Sequence, residues 1–383
     1  MRKITPSTAS RLNFRPMPLP VRPLLLILFA AALAGAFWRA PTPADAGFAA
    51  PPAATPSTLP PLFVNEMLWR DASLAAAAPN LTELSDGRIA AAWLAGPEDG
   101  MTIHFSIRER DGWRPPGQIA SHESTAGGTF ARVDRLGSPV LHAEGSWLHL
   151  WYASSTLGSS INHSLSTDGG KSWTKPARLQ TSPFANFDST VRSAPVSLAD
   201  GGLGLAISHD FIGRHGEWLR LSATGQIVDK LRLPATSRTL QPAVAVFDEQ
   251  RAMAVLRDAG PGSGSVQVAT TDDGGRRWQA GEALAVANPN ASVALLRLRS
   301  GRLLLAGNPA SGRQALLLWL SADQGKTWRE IRTVEAAPDG GADYGNPSLL
   351  LGRDGRIHLA YDWRRQGIKH AAFSEAWLDG GQP

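Results

Sequence analysis

The stretch Ser166-Thr-Asp-Gly-Gly-Lys-Ser-Trp173 is repeated in near copy at Thr271–Trp278 (TDDGGRRW) and at Ser321–Trp328 (SADQGKTW), and all three fit S/T-x-D-x-G-x-x-W. In such a motif the Asp carboxylate accepts hydrogen bonds from backbone N–H groups a few residues on, which closes a tight turn. Glycine supplies a backbone conformation with positive φ, and the tryptophan turns back into the apolar space between strands. We therefore predict that these residues staple hairpins and have a structural role rather than a catalytic one.

The distances between the three motifs indicate further, degenerate copies. Asp273 and Asp323 are 50 residues apart, whereas Asp168 and Asp273 are 105 residues apart, which leaves room for one more unit. Trp218–Gly225, which lacks the Asp, fills this slot. Ser106–Trp113 is another degenerate copy, and a sixth slot falls at Ala371–Ser374. The chain is therefore predicted to contain six related units.

Each unit begins with a proline or a small residue, followed by an apolar strand, a polar turn and a second strand. These openings are Pro79, Pro139, Pro195, Pro242, Ser292 and Pro347. A period of roughly 40–50 residues with four short strands per unit is typical of a β-propeller. We therefore predict an all-β fold, a six-bladed β-propeller over residues 62–380. The isolated strand Phe63–Trp69 is predicted to supply the fourth strand of the last blade and to close the ring.

The first 46 residues differ from the rest of the chain. They carry six basic residues and one acid, and they contain an uncharged run of 15 residues, Leu24–Trp38. This pattern predicts an export signal, with Ala44-Asp-Ala46 as a cleavage site. A bilayer span needs about 20 residues, so a cleaved signal and an uncleaved anchor both stay open. The propeller is then periplasmic or secreted, or anchored to the inner membrane. Residues 47–61 are predicted to be a Pro/Ala-rich linker with no core-forming pattern.

The composition excludes several kinds of site. The sequence has no cysteine, which rules out disulfides and thiolate metal sites, and its nine histidines show no metal-ligand spacing. The net charge of +5 resides in residues 1–46, so the propeller is close to neutral and no nucleic-acid partner is predicted. We also expect no metal and no cofactor. The oligomeric state stays open.

In a propeller, the residues before the innermost strands surround one mouth of the central channel, and the loops after the second strands border it. In this chain these positions hold Arg192, Gln241, Asn290, Tyr344, Glu98, Asp99, His209, Arg257 and Arg313. Arginines bind a carboxylate through paired hydrogen bonds, so the three arginines predict a grip on an anionic sugar. Gln241 and Asn290 are candidate partners of sugar hydroxyls.

Candidate acids and bases lie in the same loops, and each has a structural alternative. Glu98 and Asp99 are candidates for a general acid, although turn formation also explains them. His209 with Asp210 is a candidate acid/base pair, because histidine titrates near neutral pH. The arginines equally suit salt bridges between blades, and Arg364–Arg365 suits a solvated surface.

The three motifs are Asp-boxes, and with their surroundings they resemble the sialidase superfamily over nearly all of residues 63–378. Asn308–Ser321 is similar to the sialidase segment that carries an arginine of the carboxylate-binding triad, which would be Arg313. Val255–Asp258 resembles the strand that carries another triad arginine, which would be Arg257. The resemblance thus implies that these two arginines bind the substrate carboxylate.

Tyr344 occupies the place of the nucleophilic tyrosine, which the resemblance implies attacks the anomeric carbon with a glutamate as its base. The sequence departs from the family at two places. Ala77-Ala-Pro79 stands where sialidases have Arg-Ile-Pro, and Leu240-Gln-Pro242 stands where the glutamate would be. The sequence is closer to a divergent bacterial branch, which it resembles at Asn288-Pro-Asn290 and Ile368-Lys-His370.

Three functions are compatible with these residues. The first is an exo-acting glycoside hydrolase for an acidic sugar of an extracellular or periplasmic glycan. The second is a carbohydrate-binding propeller without catalysis. The third is a polysaccharide lyase, in which Tyr344 or His209 removes a proton beside a uronate carboxylate held by arginine. A glycan or small sugar is the expected partner in all three, and the fold alone does not choose between them.

Overall fold

The computed structural model describes residues 21–39, 47–182, 186, 188–211, 213–261, 264–337 and 341–380, within two compact units, Met1–Pro43 and Ala44–Pro383. In the first unit, helix α1 (Val21–Arg39) is rich in leucine and alanine, which are strong helix formers. No helix in the described part of the chain is long and apolar enough to span a membrane. The predicted cleavage site at 44–46 lies outside the described residues, so export and anchoring stay predictions.

The described residues of the second unit form six antiparallel sheets, the blades, preceded by strand β1 (Phe63–Arg70). Blade 1 contains β2 (Ala75–Glu83), β3 (Ile89–Gly96), β4 (Thr102–Glu109), β5 (Gly112–Trp113) and β6 (Gly117–Ala120), followed by helix α2 (His122–Thr129). Blade 2 contains β7 (Arg135–Glu144), β8 (Trp147–Ser155), β9 (Ser159–Ser166) and β10 (Ala177–Arg178). Blade 3 contains β11 (Ser189–Val191), β12 (Val196–Ser197), β13 (Leu203–His209), β14 (His215–Leu221) and β15 (Ile227–Leu233).

The remaining three blades follow in the same way. Blade 4 contains β16 (Thr239–Val246), β17 (Ala252–Asp258), β19 (Gln267–Thr271) and β20 (Gln279–Ala280), and a short pair beside it joins β18 (Gly264–Ser265) to β21 (Ala287–Asn288). Blade 5 contains β22 (Ala294–Arg297), β23 (Leu303–Gly307), β24 (Ala315–Ser321) and β25 (Arg329–Ala336). Blade 6 contains β26 (Tyr344–Leu351), β27 (Ile357–Trp363) and β28 (Gly367–Phe373), followed by helix α3 (Glu375–Leu378). The predicted six-bladed propeller is confirmed.

The ring closes through the first strand of the second unit. β1 pairs antiparallel with β28, from Phe63 opposite Phe373 to Arg70 opposite Gly367, and gives blade 6 its fourth strand. The prediction for Phe63–Trp69 is therefore confirmed. The pairing covers the outer edge of β28, which would otherwise expose unpaired backbone groups.

The Asp-boxes staple hairpins as the sequence predicts. Asp168 Oδ1 accepts hydrogen bonds from the backbone N–H groups of Lys171 at 3.0 Å and Ser172 at 2.9 Å. Gly170 has φ of 88°, and a Cβ there would lie 2.4 Å from the Phe105 ring. The hydrogen bonds from Ser172, first its hydroxyl and then its N–H, hold the pKa of Asp168 well below its usual range. The Asp168 carboxylate thus serves to hold its own turn.

The apolar core lies between the blades. Each of the six clusters of buried apolar side chains in the described residues draws members from two neighbouring blades. In the cluster between blades 5 and 6, for example, Leu304 and Leu318 pack with Ile357 and Phe373. Burial of one such side chain stabilises the fold by about 1.5–3 kcal/mol. A single blade has no partner for its faces, so the repeats stabilise one another.

The segment before β1 is more than a linker. The prediction that residues 47–61 have no core-forming pattern is wrong, because Phe48 is fully buried and meets Trp218 edge-on at 6.0 Å between ring centroids. Its N–H donates to Glu249 O at 2.9 Å, and Thr55 N–H donates to Arg299 O at 2.8 Å. A single aromatic residue in a Pro/Ala-rich stretch carries no periodicity, so the pattern could not reveal it.

Candidate functional site

Four inner strands carry a β-bulge near the channel mouth. The pairing register shifts in β2, β7, β16 and β26, at the predicted unit openings. Non-glycine residues with positive φ occur in three of these bulges: Ala78 at 57°, Gln241 at 52° and Asn346 at 47°. A bulge bends its strand and redirects side chains, at the expense of backbone strain. Gln241 and Asn346 thereby reach the same hydroxyl, Ser292 Oγ, from different blades.

Arg257 is held by neutral amides. Its Nε donates to Asn290 Oδ1 at 2.7 Å, and its Nη1 donates to Gln241 Oε1 at 3.2 Å. Burial, and then the positive charge of Arg313, lower the pKa of Arg257. No carboxylate forms an ion pair with Arg257 in the part of the chain that the structure describes. Asp210 acts on this guanidinium only at longer range and pairs directly with Arg214, so Arg257 can still form an ion pair with an anionic ligand.

Arg313 belongs to the loop of blade 5 between β23 and β24. Its Nε donates to Asp343 Oδ1 at 2.5 Å, and its Nη2 lies 3.4 Å from Asp362 Oδ2. The guanidinium packs on Gly345, where a Cβ would lie 2.6 Å from Arg313 Cζ. About a third of the side chain is exposed, so solvent or a ligand reaches it.

Asp362, at the end of β27, is the buried acid of the site. Its Oδ2 accepts from Asn346 Nδ2 at 2.6 Å, and its Oδ1 accepts from the Ala78 N–H at 2.7 Å. The side chain is almost completely buried. Burial raises the pKa of Asp362 to about 6, although the Arg313 charge acts in the opposite direction. Asp362 thus orients both Asn346 and Arg313.

Arg192 joins three blades beneath this network. Its Nη1 donates to Pro79 O at 3.0 Å, and its Nη2 donates to Asn346 O at 2.5 Å and to Pro347 O at 3.2 Å. The residue is 4% exposed. Burial lowers the pKa of Arg192 to about 10, with Asp362 opposing the shift. Both Nη groups are used on backbone carbonyls, so Arg192 adds positive charge to the site and holds the inner strands together.

A cavity of about 280 Å³ lies along the inner strands next to Arg192. Its polar lining comes from Asn80, Arg192, Ser193 and Ser348, and its remaining walls are apolar. The apolar lining residues are Ala194, Pro195, Val196, Ala243, Val244, Ala294, Leu295, Leu296, Pro347, Leu349, Leu350 and Leu351.

The structure joins five of the predicted site residues in one network and leaves four outside it. The network contains Arg192, Arg257, Arg313, Gln241 and Asn290, connected through Ser292, Asn346 and Asp362. No hydrogen bond or ion pair joins the side chains of Tyr344, Glu98, Asp99 or His209 to it among the described residues. The catalytic roles of these four residues stay predictions.

Each of the four has a structural setting of its own. Tyr344 is 2% exposed and packs in the apolar cluster between blades 5 and 6. Glu98 and Asp99 are exposed in the turn after β3. The His209 ring lies 4.8 Å from the His215 ring between centroids, and partial burial lowers the pKa of His209. Asp210 pairs with Arg214 at 2.7 Å instead of with His209.

Sequence reasoning missed Asp362, Ser292 and Asp343 as parts of the site. A signal was present for Asp362, because it is an acid at the last position but one of an otherwise apolar strand, Ile357–Trp363, just before the mouth. Nothing in the spacing of Ser292 and Asn346 indicates that they meet across blades.

Comparison with protein families gives the chain its classification. Residues 87–359 match the family described as BNR repeat-like domain. The chain belongs to the BNR repeat-like domain family. No curated protein sequence matches this BNR repeat-like protein significantly.

Solved structures share the fold at low sequence identity. A Hadza microbial sialidase is 18% identical with a TM-score of 0.65, over 78% of this chain and 65% of that one. The sialidase of Trypanosoma rangeli is 14% identical with a TM-score of 0.65, over 84% of this chain and 61% of that one. An alpha-L-arabinanase of Penicillium chrysogenum is 14% identical with a TM-score of 0.61, over 84% and 99%. The BNR repeat-like protein thus spans less than two thirds of these sialidases and has a sialidase-like propeller fold.

Proposed function

We propose that this BNR repeat-like protein is an exo-acting glycoside hydrolase for an acidic sugar of an extracellular or periplasmic glycan. The observation that carries the proposal is Arg257, a partly buried arginine held by the amide oxygens of Gln241 and Asn290 and without a carboxylate partner among the described residues. A sugar carboxylate supplies the missing negative charge. The sialidases and the arabinanase that share the fold support a glycosidase.

The second arginine of the proposed grip is Arg313. It is a third exposed, and Asp343 and Asp362 hold its guanidinium from two sides. A carboxylate between Arg257 and Arg313 receives hydrogen bonds from both, which orients the sugar ring above the network. Gln241, Asn290 and Asn346 are then within reach of ring hydroxyls as hydrogen-bond partners.

A carbohydrate-binding propeller without catalysis is the second candidate. Two observations favour it. Tyr344 is buried in an apolar cluster. Gln241 occupies the place of the glutamate and, being a neutral amide, cannot act as a base for a tyrosine. Such a protein uses the same arginines for the sugar carboxylate and releases the ligand unchanged.

The deciding experiment incubates the full-length protein with aryl glycosides and oligosaccharides of acidic and neutral sugars and analyses the products by mass spectrometry. We expect release of a terminal acidic monosaccharide. Binding by calorimetry without a product establishes the binding propeller instead, and an unsaturated product that absorbs in the ultraviolet establishes a lyase. Turnover restricted to neutral sugars contradicts the role of Arg257 and Arg313.

A matched pair of variants connects the result to the site. Arg257→Gln removes the guanidinium charge, whereas Lys326→Ala removes an exposed charge in an Asp-box turn. We expect only Arg257→Gln to abolish the preference for acidic over neutral ligands.

A further inference from the structure

A strained turn of blade 6 carries two arginines next to the mouth. We propose that this turn, Trp363–Gln366 (the Trp363 turn), together with Arg70, binds a second acidic unit of the glycan, so that the ligand is a polyanionic oligosaccharide or polysaccharide. The proposal rests on the proposed function for the position of the first acidic sugar. It replaces our prediction that Arg364–Arg365 is only a solvated surface.

The backbone of the Trp363 turn is unfavourable for the residues that occupy it. Arg364 has φ of 53° and Arg365 has φ of 58°, and the Gln366 N–H closes the turn on Trp363 O at 3.2 Å. Positive φ at both central residues is the conformation that Asn-Gly adopts readily and that long side chains adopt rarely. The conformational preference of arginine therefore does not explain why Arg364 and Arg365 occupy this turn.

Hydrogen bonds from two neighbouring segments hold the strained conformation in place. The Arg364 N–H donates to Asp343 O at 2.7 Å, and Arg365 O accepts from the Ala76 N–H at 2.8 Å. Strained backbone that is fixed in this way clusters at binding and catalytic sites. The two side chains are thus presented at a defined place between blades 6 and 1.

Cations surround the Trp363 ring. Arg70 Cζ lies 5.0 Å and Arg364 Cζ lies 5.1 Å from its centroid, and Lys369 Nζ lies 5.6 Å away. Lys369 pairs with Glu335. Arg70 and Arg364 have no carboxylate partner in the described ranges, and both are exposed. Arg70 and Arg364 therefore repel each other beside one ring, and an anionic ligand relieves this repulsion.

The Trp363 turn is continuous with the mouth. Asp343 Oδ1 accepts from Arg313 Nε at 2.5 Å, and Asp343 Oδ2 lies 3.7 Å from Arg365 Nε. The Arg365 side chain is 73% exposed, so one shared carboxylate leaves most of its guanidinium free for a ligand. A chain of acidic sugars that leaves Arg313 along blade 6 therefore meets Arg365 first and then Arg364 and Arg70.

The test uses the full-length protein and the double substitution Arg364→Asn with Arg365→Gly. This pair restores the residues that the turn favours, so the variant should melt at the same or a higher temperature than the wild type, and weaker binding is then not a folding defect. The probes are polygalacturonate, alginate and hyaluronate, each compared with its acidic monosaccharide. Binding is measured by calorimetry at 50 mM and 500 mM NaCl.

We expect at least one polymer to bind and its Kd to rise about tenfold in the double variant, because two exposed ion pairs are lost. The affinity for the monosaccharide should not change. High salt should remove the difference, since exposed charges are screened. The control Lys326→Ala with Arg329→Ala removes two exposed charges of blade 5, one from its Asp-box turn and one from the start of β25, and should bind like the wild type.

The outcomes separate this inference from the proposed function. An unchanged polymer Kd in the double variant, an equal loss in the control, or no polymer bound by the wild type overturns the inference. If the wild type hydrolyses small acidic glycosides and the double variant does so equally, the proposed function stands whichever way the polymer result falls. If polymer binding depends on the turn but no glycoside is hydrolysed, the proposed function fails and the binding surface stands.

Discussion

At the scale of single residues, Arg257 and Asp362 show how burial gives two ordinary side chains unusual properties. Arg257 keeps its charge beside neutral amides, and Asp362 keeps its carboxyl group among hydrogen-bond donors with little solvent contact. Each of them lies close to Arg313, whose positive charge lowers the pKa of Arg257 and opposes the rise in the pKa of Asp362. A change in one of these groups should therefore alter how the others bind a ligand or a proton.

Arg257→Ala should weaken the binding of an acidic sugar by about 2 kcal/mol, roughly thirtyfold, because a charge-assisted hydrogen bond is lost. Binding of the neutral analogue should change far less. Calorimetry with the acidic and neutral forms of one sugar measures both values. Arg257→Lys is the control for charge alone, and because an ammonium cannot form the paired hydrogen bonds, it should recover only part of the affinity. Equal losses for both sugars would refute the role of Arg257.

Asp362→Asn should change the pH dependence of stability. Burial raises the pKa of Asp362 from 3.8 to about 6, so between these values the folded protein binds the proton and the unfolded chain does not. The stability due to protonated Asp362 is therefore present below about pH 4 and is lost as the pH rises through 6. The free energy of unfolding of the wild type minus that of the variant should fall by on the order of 2 kcal/mol from pH 4 to pH 7.

Denaturant unfolding of both proteins at several pH values measures this difference. A difference that stays constant, or that grows with pH, would show that Asp362 titrates normally in the folded protein. The comparison of two chains cancels the other titrating groups, provided that both unfold in one transition.

At the scale of elements, the segment before β1 shows how one buried aromatic side chain and a few backbone hydrogen bonds hold an irregular stretch on the propeller. Phe48 fills a space between blades 3 and 4, in the cluster that includes Trp218 and Trp278. Its N–H bond to Glu249 O and the bond from Ala49 N–H to Ser197 O, both 2.9 Å, add two backbone contacts. The surrounding Pro and Ala residues have small side chains that bury little apolar surface, so Phe48 makes the main side-chain contact of the segment.

Phe48→Ala should destabilise the protein by about 3–5 kcal/mol, the usual loss for a large aromatic side chain removed from a core. Thermal and denaturant unfolding measure the change. Phe48→Leu should lose less, because it keeps most of the apolar contact. An effect below about 0.5 kcal/mol, the range of surface substitutions, would mean that residues 47–61 contribute nothing to the fold.

At the scale of the whole molecule, the closing contact of the ring includes a charged group. Glu66 of β1 accepts from His370 Nδ1 at 2.9 Å, lies 2.6 Å from Arg108 Nε, and accepts from Trp113 Nε1 at 3.1 Å. It therefore joins β1 both to β28 and to blade 1. The hydrogen bond from His370 is the main cause that lowers the pKa of Glu66 to about 2, and burial opposes it.

Glu66→Gln should therefore weaken ring closure in a pH-dependent way. The folded pKa of Glu66 lies below the ordinary value of 4.5, so its stabilisation is present above pH 4.5 and is lost as the pH falls through about 2. Solvent screens a partly exposed group, so we expect about 1 kcal/mol at pH 7 and almost none at pH 2. Unfolding of the wild type and the variant across this range measures the difference. A loss that persists at pH 2 would point to altered packing instead.

The sequence by itself determined the propeller, the number of blades and the strand that closes the ring. It could do so because the Asp-boxes are local: Ser166, Asp168 and Gly170 satisfy one another within a few residues, and their spacing repeats with every blade. The isolated strand Phe63–Trp69 was recognisable for the same reason, because the sixth unit shows only three strands and this strand belongs to none of the other five units. Positions near the mouth followed from the repeat, which is why Arg257, Arg313 and Gln241 could be named.

Only the tertiary structure decided which of these positions work together. Gln241, Ser292 and Asn346 are separated by 50 residues or more along the chain and meet because three inner strands converge on one axis. The burial of Asp362, and with it the raised pKa, depends on blades 1, 5 and 6 at once. A strand pattern shows that a side chain lies on a face, but its solvent contact and charge environment depend on neighbours that only the closed ring brings together.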